Sequence, residues 1–455
     1  MQRFELVKVS ACLLFASVIW NAIVGTDAIA AQLRRSQVID DKIKFVLSFN
    51  KERSLLVAWQ QIFRYCVLFA IFCVMSAFFN TVCAATNFRS SGLRWHREIK
   101  GPRYQTPNFD LYFGGFLQAD FMSLYGAAPQ LQGISNWRDG RVSMGFNFYK
   151  VWQFDATYDF KQHQLLDAYF AYVATHVSVM VGQVFPVFGI ANTADTSHIT
   201  FLELPLPVIP FSTAYNPGVE VGLFKNPFTL YASIFGPQLG TTVHGRNPLG
   251  ATISATFAPL HTDKKVFVLS LSGWQESVDS FHTLEFDSPP EVVADNGGTL
   301  IGGENIGNVK NFQSLDGGAA GVYGPFSLQG EWIYTWVNRT NNFPVLQLRG
   351  FYITASYFLT GESRLYSFRD AGFIGMSPVT GKYGAWQIAV RYSQLNLMSQ
   401  NVAGGNERDI TFGLNWFPFQ LFAFKFNYVH AMARPNGAGK NQTANMYVLR
   451  LQVVF

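Results

Sequence analysis

Arg141, Arg391, Lys425 and Arg450, and with them Asp155, Asp159, Asp167, Glu220 and Glu331, share one property. Each lies in a segment where apolar and polar residues alternate, and each falls on the polar parity. Successive side chains of a strand point to opposite faces, so these charges face one way and an apolar surface faces the other. Charges that line an aqueous space sort ions by sign, so the chemistry on offer is electrostatic rather than bond-making. Four cations against five anions are close to balance, which predicts weak selectivity. Each charge taken singly reads equally well as a wall residue paired with a neighbour.

Bond-making chemistry finds little support. The eight histidines, His96, His163, His176, His198, His244, His261, His282 and His430, include no two at ligand spacing, so no metal site is implied. All four cysteines, Cys12, Cys66, Cys73 and Cys83, precede residue 86, which removes thiol catalysis and cysteine metal sites from the rest of the chain. Neither a Gly-x-Ser-x-Gly elbow nor a phosphate-cradling loop occurs, and no cofactor is implied. The run from Gly297 to Glu304 reads as a flexible loop tip.

The 455 residues are 49% apolar and 16% aromatic but only 14% charged, a charge-poor balance. The net +5 is concentrated upstream: from Gln105 onward there are 20 Lys and Arg against 23 Asp and Glu, so no nucleic-acid surface is indicated. Two segments have the basic, apolar, small-residue order of an export signal. They are Val9 to Val24 after Lys8, and Tyr65 to Val82 after Arg64, the latter followed by Cys83-Ala84-Ala85. Retained membrane helices are the alternative, but each apolar run is short for a span. The expected organisation is a leader over 1–85 cut near Ala85, a short basic periplasmic segment over 86–108, and a strand-rich body over 109–455.

Sixteen strands are expected in that body, beginning near 109, 141, 152, 165, 177, 218, 228, 250, 265, 312, 326, 346, 384, 408, 421 and 446. Connections after even-numbered strands are mostly short, such as Lys150-Val151 and Gly324-Pro325. Those after odd-numbered strands are mostly long: 126–140, 185–217, 236–249, 275–311, 396–407 and 431–445. Lys161 to Gln164 and Leu359 to Tyr383 break the rule. Such alternation belongs to a meander with short periplasmic turns and long external loops. In 141–149, Val142, Met144, Phe146 and Phe148 alternate with Arg141, Ser143, Gly145 and Asn147. The last strand, with Tyr447, Leu449, Leu451, Val453 and Phe455 on one face and Arg450 and Gln452 on the other, fits barrel closure. The fold class is therefore all-β, a transmembrane antiparallel barrel of about sixteen strands. That size leaves an aqueous channel.

Several stretches resemble the phosphate- and polyphosphate-selective porins O and P of Gram-negative outer membranes. They are Phe113 to Asp120, Asp167-Ala168-Tyr169, Gly182-Gln183 with Phe188-Gly189, Phe201-Leu202-Glu203, and Tyr357 to Arg364, followed by Gly384-Ala385-Trp386 and Arg391-Tyr392. The resemblance covers about 109–455 and implies a trimeric porin in outer-membrane lipid and lipopolysaccharide, passing small ions or solutes. It further implies that the third external loop folds into the lumen and that basic residues there bind anions. The anion candidates are then Arg138, Arg141, Arg391, Lys425 and Arg450. In the loop 185–217 itself there is no Lys or Arg, and Asp195, His198 and Glu203 are its constriction candidates. Phe185 stands where the family has a lysine, and Asp139 where a second arginine is usual, so phosphate selectivity is expected to be weak. A barrel whose external loops carry adhesin or enzymatic function is the alternative. For that reading, loop 275–311 offers carboxylates including Glu276, Asp287 and Glu291.

Overall fold

The computed structural model describes residues 101–126, 131, 133, 135–293, 298–302, 305–435 and 441–455. Both signal-like segments and the cut near Ala85 lie outside the described residues, as does most of the basic segment. Residues 101–108 of that segment are described, and they include the short strand β1 (Arg103–Gln105).

Sixteen longer strands follow, each antiparallel to its neighbours. The first eight are β2 (Phe109–Gly126), β3 (Ser135–Phe148), β4 (Trp152–Asp159), β5 (Gln164–Val173), β6 (Val177–Val184), β7 (Asn216–Lys225), β8 (Phe228–Phe235) and β9 (Gly250–His261). After β10 (Lys265–Ser277), two short strands, β11 (Asp287–Ser288) and β12 (Ile301–Gly302), pair with each other inside a loop. The wall resumes with β13 (Val309–Tyr323), β14 (Phe326–Arg339) and β15 (Leu346–Phe358). A second small hairpin, β16 (Arg364–Ser367) and β17 (Gly372–Met376), precedes β18 (Ala385–Ser399), β19 (Val402–Phe419), β20 (Phe422–Arg434) and β21 (Gln442–Val454). Pairing of β21 with β2, from Phe116 opposite Val454 to Gly126 opposite Ala444, closes the barrel. Closure leaves no unpaired edge, which is what lets strands cross a membrane.

Strand count and order are as the alternation predicts, but three strands begin earlier than expected, at Ser135, Val402 and Gln442. Their first residues, Ser135-Asn136-Trp137, Val402-Ala403-Gly404-Gly405 and Gln442-Thr443-Ala444, do not alternate apolar with polar, yet they still pair across the ladder. The loop expected over 396–407 is consequently a two-residue turn at 400–401. The expected flexible tip is also corrected in part, because Ile301 within it is a buried strand residue packed in the core.

Outward faces are apolar: Val142, Met144, Phe412, Leu414, Leu449 and Leu451 are all exposed. Near the short-turn end, aromatic side chains stack in sequence, Trp386 on Trp416 at 5.5 Å and Trp416 on Phe424 at 5.2 Å, as an interfacial girdle requires. Inward faces are less uniform than alternation suggests. Leu346, Leu348, Leu395, Leu397, Val429 and Val448 point inward and are buried, because two loops pack on them.

Closure concentrates at Gly115. Its N–H donates to the Phe455 carbonyl at 2.8 Å, and the Phe455 N–H returns a bond of 2.9 Å. A side chain at Gly115 would collide with the Arg141 carbonyl oxygen and reach the Phe455 ring at 3.0 Å. Gly115→Val is therefore expected to reduce the folded, heat-modifiable fraction in outer membranes severely. Phe455→Ser, which keeps the backbone pair, should reduce it less, and electrophoresis of unheated against boiled membranes reads both.

Candidate functional site

The loop 185–215 between β6 and β7 lies along the inward face of β18 to β21 and β2, and its main chain dictates the chemistry there. A buried carbonyl without a donor costs free energy comparable to a lost hydrogen bond. Six carbonyls of this loop are met by wall side chains. Gln118 donates to Thr196 at 3.4 Å and Gln452 to Ser197 at 2.9 Å. Lys425 donates to Ile199 at 2.8 Å and Asn415 to Thr200 at 2.8 Å. Arg450 donates to Leu202 at 2.6 Å, and Arg391 to Glu203 at 3.0 Å.

An ion cluster centred on Glu203 reinforces this clamp. Arg138 grips both carboxylate oxygens of Glu203, Nε at 2.8 Å and Nη2 at 3.0 Å, in the bidentate geometry that makes charge-assisted bonds strong. Arg450 Nη2 reaches the same carboxylate at 2.9 Å while holding Asp120 bidentately, both bonds at 2.7 Å. Arg138 has no partner in the β2 ladder. It is the extra residue of a bulge at Gln118 and Ala119, a device that re-aims a side chain.

The other predicted residues are placed as follows. Arg141 is inward, with Asp159 at 3.3 Å and Asp139 at 3.5 Å, and lies 5.2 Å from the centre of the Phe116 ring. Arg391 is buried beside Glu291 at 2.6 Å and over the Phe201 ring at 4.4 Å. The Asp195 carboxylate accepts from the Ser197 N–H at 2.6 Å and from the Ser197 hydroxyl, so it orders its own loop. His198 donates its N–H to the Asp195 carbonyl at 2.9 Å and lines a cavity below the loop. The structure thus gathers Arg138, Arg391, Lys425, Arg450 and Glu203 on one stretch of loop and leaves Arg141 a few residues away in its own carboxylate pair.

Three groups complete the arrangement: Asp120 and Arg364, which the sequence reading does not single out, and Glu291, which it takes only as a carboxylate of the external loop. Glu291, from the loop 278–308, takes Arg391, Ser393 and Thr411 of the wall and accepts from the Leu206 N–H at 3.1 Å, tying the two long loops together. Asp120 shares the inward parity of Gln118, so alternation could have found it. Arg364 belongs to β16, and no local period marks it. The inward carboxylates also exceed the five expected, since Asp110, Asp120, Asp139, Asp316, Glu407 and Asp409 are buried too.

The apolar packing shows where space remains. Leu202, Leu206, Val208 and Phe211 of the first loop, with Phe286, Val292 and Ile306 of the second, fill the long-loop half against β13 to β15 and β18 to β21. From the short-turn end, Tyr366, Ala371 and Phe373 of the 359–384 connection pack against β5 to β10 and β13. Arg364 lines two cavities beneath the first loop.

A closed sixteen-stranded barrel with an apolar exterior and loops clamped inside is an outer-membrane channel. The family described as phosphate-selective porin O and P matches residues 111–455, and the chain belongs to it. Porin O of Pseudomonas aeruginosa is 24% identical over 410 residues, covering 76% of this chain and 89% of that protein. Among solved structures, OmpT of Vibrio cholerae has a TM-score of 0.50 at 10% identity, covering 78% of this chain and 100% of that one. An anion-selective porin from Comamonas acidovorans has a TM-score of 0.48 at 11% identity, covering 76% and 100%. The protein is accordingly a porin of a Gram-negative outer membrane.

Burial pushes the Glu203 carboxyl up, but Arg138 and Arg450 together outweigh burial and hold it at about 2, below the ordinary 4.5. A carboxyl held down in the folded state stabilises above its unfolded value, and that contribution is lost as pH falls through the interval toward the folded value. Channel conductance should therefore stay constant from about pH 7 to about pH 5 and change as pH drops below about 4. Glu203→Gln should bring that altered state to neutral pH and cost about 2 kcal/mol, one charged hydrogen-bond partner, in thermal unfolding.

Proposed function

We propose that the protein is a passive diffusion channel for small hydrophilic solutes and ions, inorganic phosphate among them, with weak selectivity. It works as a homotrimer in outer-membrane lipid and lipopolysaccharide, as membership of its family implies, and makes or breaks no bonds. The observation that carries the weak selectivity is the state of the basic residues. Arg138, Arg141, Arg391 and Arg450 each face a carboxylate at 3.3 Å or closer, and Lys425 is turned onto a backbone carbonyl. A guanidinium already held by a carboxylate has little field left for a passing anion, because opposite charges in contact cancel at distance. Phe185, tilted against Tyr215 with ring centroids 4.8 Å apart, adds an aromatic contact rather than a cation at the start of the loop. Glu291, the buried carboxylate of the second long loop, is occupied by Arg391, which argues against a catalytic role for it.

Purified protein in planar bilayers tests this reading. A steady open level is expected, with a chloride-to-potassium permeability ratio within about threefold of one in either direction, since each basic wall residue is already held by a carboxylate or a carbonyl. A closed barrel with no open level, or a ratio of about a hundred, would sink the proposal.

A further inference from the structure

A second aromatic girdle lies at the long-loop end of the barrel. It includes Phe351 on β15 and Tyr392 on β18, 5.8 Å apart between ring centres, and Tyr428 on β20 and Tyr447 on β21, 5.0 Å apart. Aromatic rings of this kind sit at headgroup depth. Beyond it, the next outward residue toward the long loops is polar on five consecutive wall strands: Arg349 on β15, Gln394 on β18, Arg408 on β19, His430 on β20 and Asn445 on β21. The Tyr428 hydroxyl and His430 both bond to Asn445 Oδ1 at 2.8 Å, which joins this collar to the girdle. On β4, β5, β6 and β8 the outward side chains nearest the same end are Tyr158, Leu165, Val181 and Ile234, all apolar and exposed. The cationic collar therefore belongs to one half of the barrel.

Arg349 and Arg408 are exposed, and among the described residues no carboxylate lies within ion-pair distance of either. Two amides of β18 stand between them, Asn396 opposite Arg349 in the ladder and Gln394 opposite Arg408. The two side chains are thus rooted about 10 Å apart across the sheet and about 7 Å apart along it. From Leu346 to Phe455 the Asp and Glu residues are Glu362, Asp370, Glu407 and Asp409, and all four are buried. The external connections 340–345, 400–401 and 435–441 hold no Asp or Glu either. A surface of one sign at headgroup depth attracts anionic headgroups, and a guanidinium matches phosphate through its planar donor fork.

We infer that the outward collar of β15 to β21 is a docking surface for the lipid A headgroup of lipopolysaccharide, with Arg349 and Arg408 each taking one of its phosphates through charge-assisted hydrogen bonds. The docking surface rests on the outer-membrane reading above and deepens it, since it names the part of the wall that meets that lipid. Two phosphates at opposite ends of a disaccharide match two guanidinium groups rooted apart with amides between them. Divalent cations need oxygen ligands such as carboxylates, and the collar offers none, so the contact is direct and not bridged by a metal ion. The acyl chains then lie along the exposed Phe351, Ile353, Ile388 and Phe412 below the collar.

The test titrates protein extracted from outer membranes, in detergent, with lipopolysaccharide, with lipopolysaccharide stripped of its lipid A phosphates, and with phosphatidylglycerol. Arg349→Gln and Arg408→Gln should each weaken lipopolysaccharide binding about fivefold, the worth of one cation at a charged lipid surface, and the double variant about twenty-five-fold. Arg408→Lys should keep most of the affinity, and Lys265→Gln, exposed at the short-turn end, should keep all of it. Chelation of magnesium should leave binding in place. Folding is read from heat-modifiable mobility, and should the double variant not fold, the two single variants decide. Unchanged affinity in a folded neutralising variant, or equal binding of the stripped lipid, would overturn the collar. Equal binding of phosphatidylglycerol would overturn the assignment to lipid A, and loss of binding on chelation the direct contact. Conductance in bilayers should match the parent, because the collar faces away from the lumen. Lipopolysaccharide binding through both arginines in a protein that conducts no ions would retain the collar and remove the channel.

Discussion

Every part of the interior depends on the need of a loop main chain, buried inside a barrel, to find hydrogen-bond donors. Strands satisfy one another, but the loop 185–215 carries carbonyls into a space walled by side chains. The wall answers with Gln118, Gln452, Lys425, Asn415, Arg450 and Arg391, one after another along the loop. Long cationic side chains suit this task, since they reach across the lumen and present several N–H groups at once. Their charge must then be balanced, and Asp120, Glu203 and Glu291 balance it. Residues that look like an anion ladder in the sequence thus become the fastening of a loop.

That fastening couples parts of the chain that are distant in sequence. Arg450 and Asp120 face each other across the strand pair that closes the barrel, so the closing seam and the loop clamp share one guanidinium. Glu291 links the second long loop to the first and to two wall strands. The apolar contacts of both loops with Leu346, Leu348, Leu395 and Leu397 supply the larger burial, while the polar bonds decide register. The hairpin entering from the other end is held by different means. Thr229 donates to the Phe368 carbonyl at 2.9 Å, and Arg369 donates to the carbonyls of Ala174 and Thr175 at 2.8 and 2.7 Å. Both ends of the lumen are therefore narrowed by inserted chain.

By itself the sequence determined the barrel. Period-two alternation and the alternation of short and long connections are local properties, and sixteen strands followed from them with most starts within three residues. The same parity correctly turned Arg141, Arg391, Lys425 and Arg450 inward, because facing is set by the backbone alone. Strand ends were misplaced at Ser135, Val402 and Gln442, where the residues carry no regular alternation but still pair. Tertiary structure decided what each charge does. The partner of Arg391 lies 100 residues away on a loop with no pattern, and the partner of Arg450 lies 330 away. The first separation is set by the path of a loop through the barrel and the second by closure of the last strand on the first, neither of which a local spacing in the chain encodes. Arg364 shows the same limit from the other side: its sequence neighbours are those of a turn, and its place over the Phe373 ring exists only once the hairpin has folded inward.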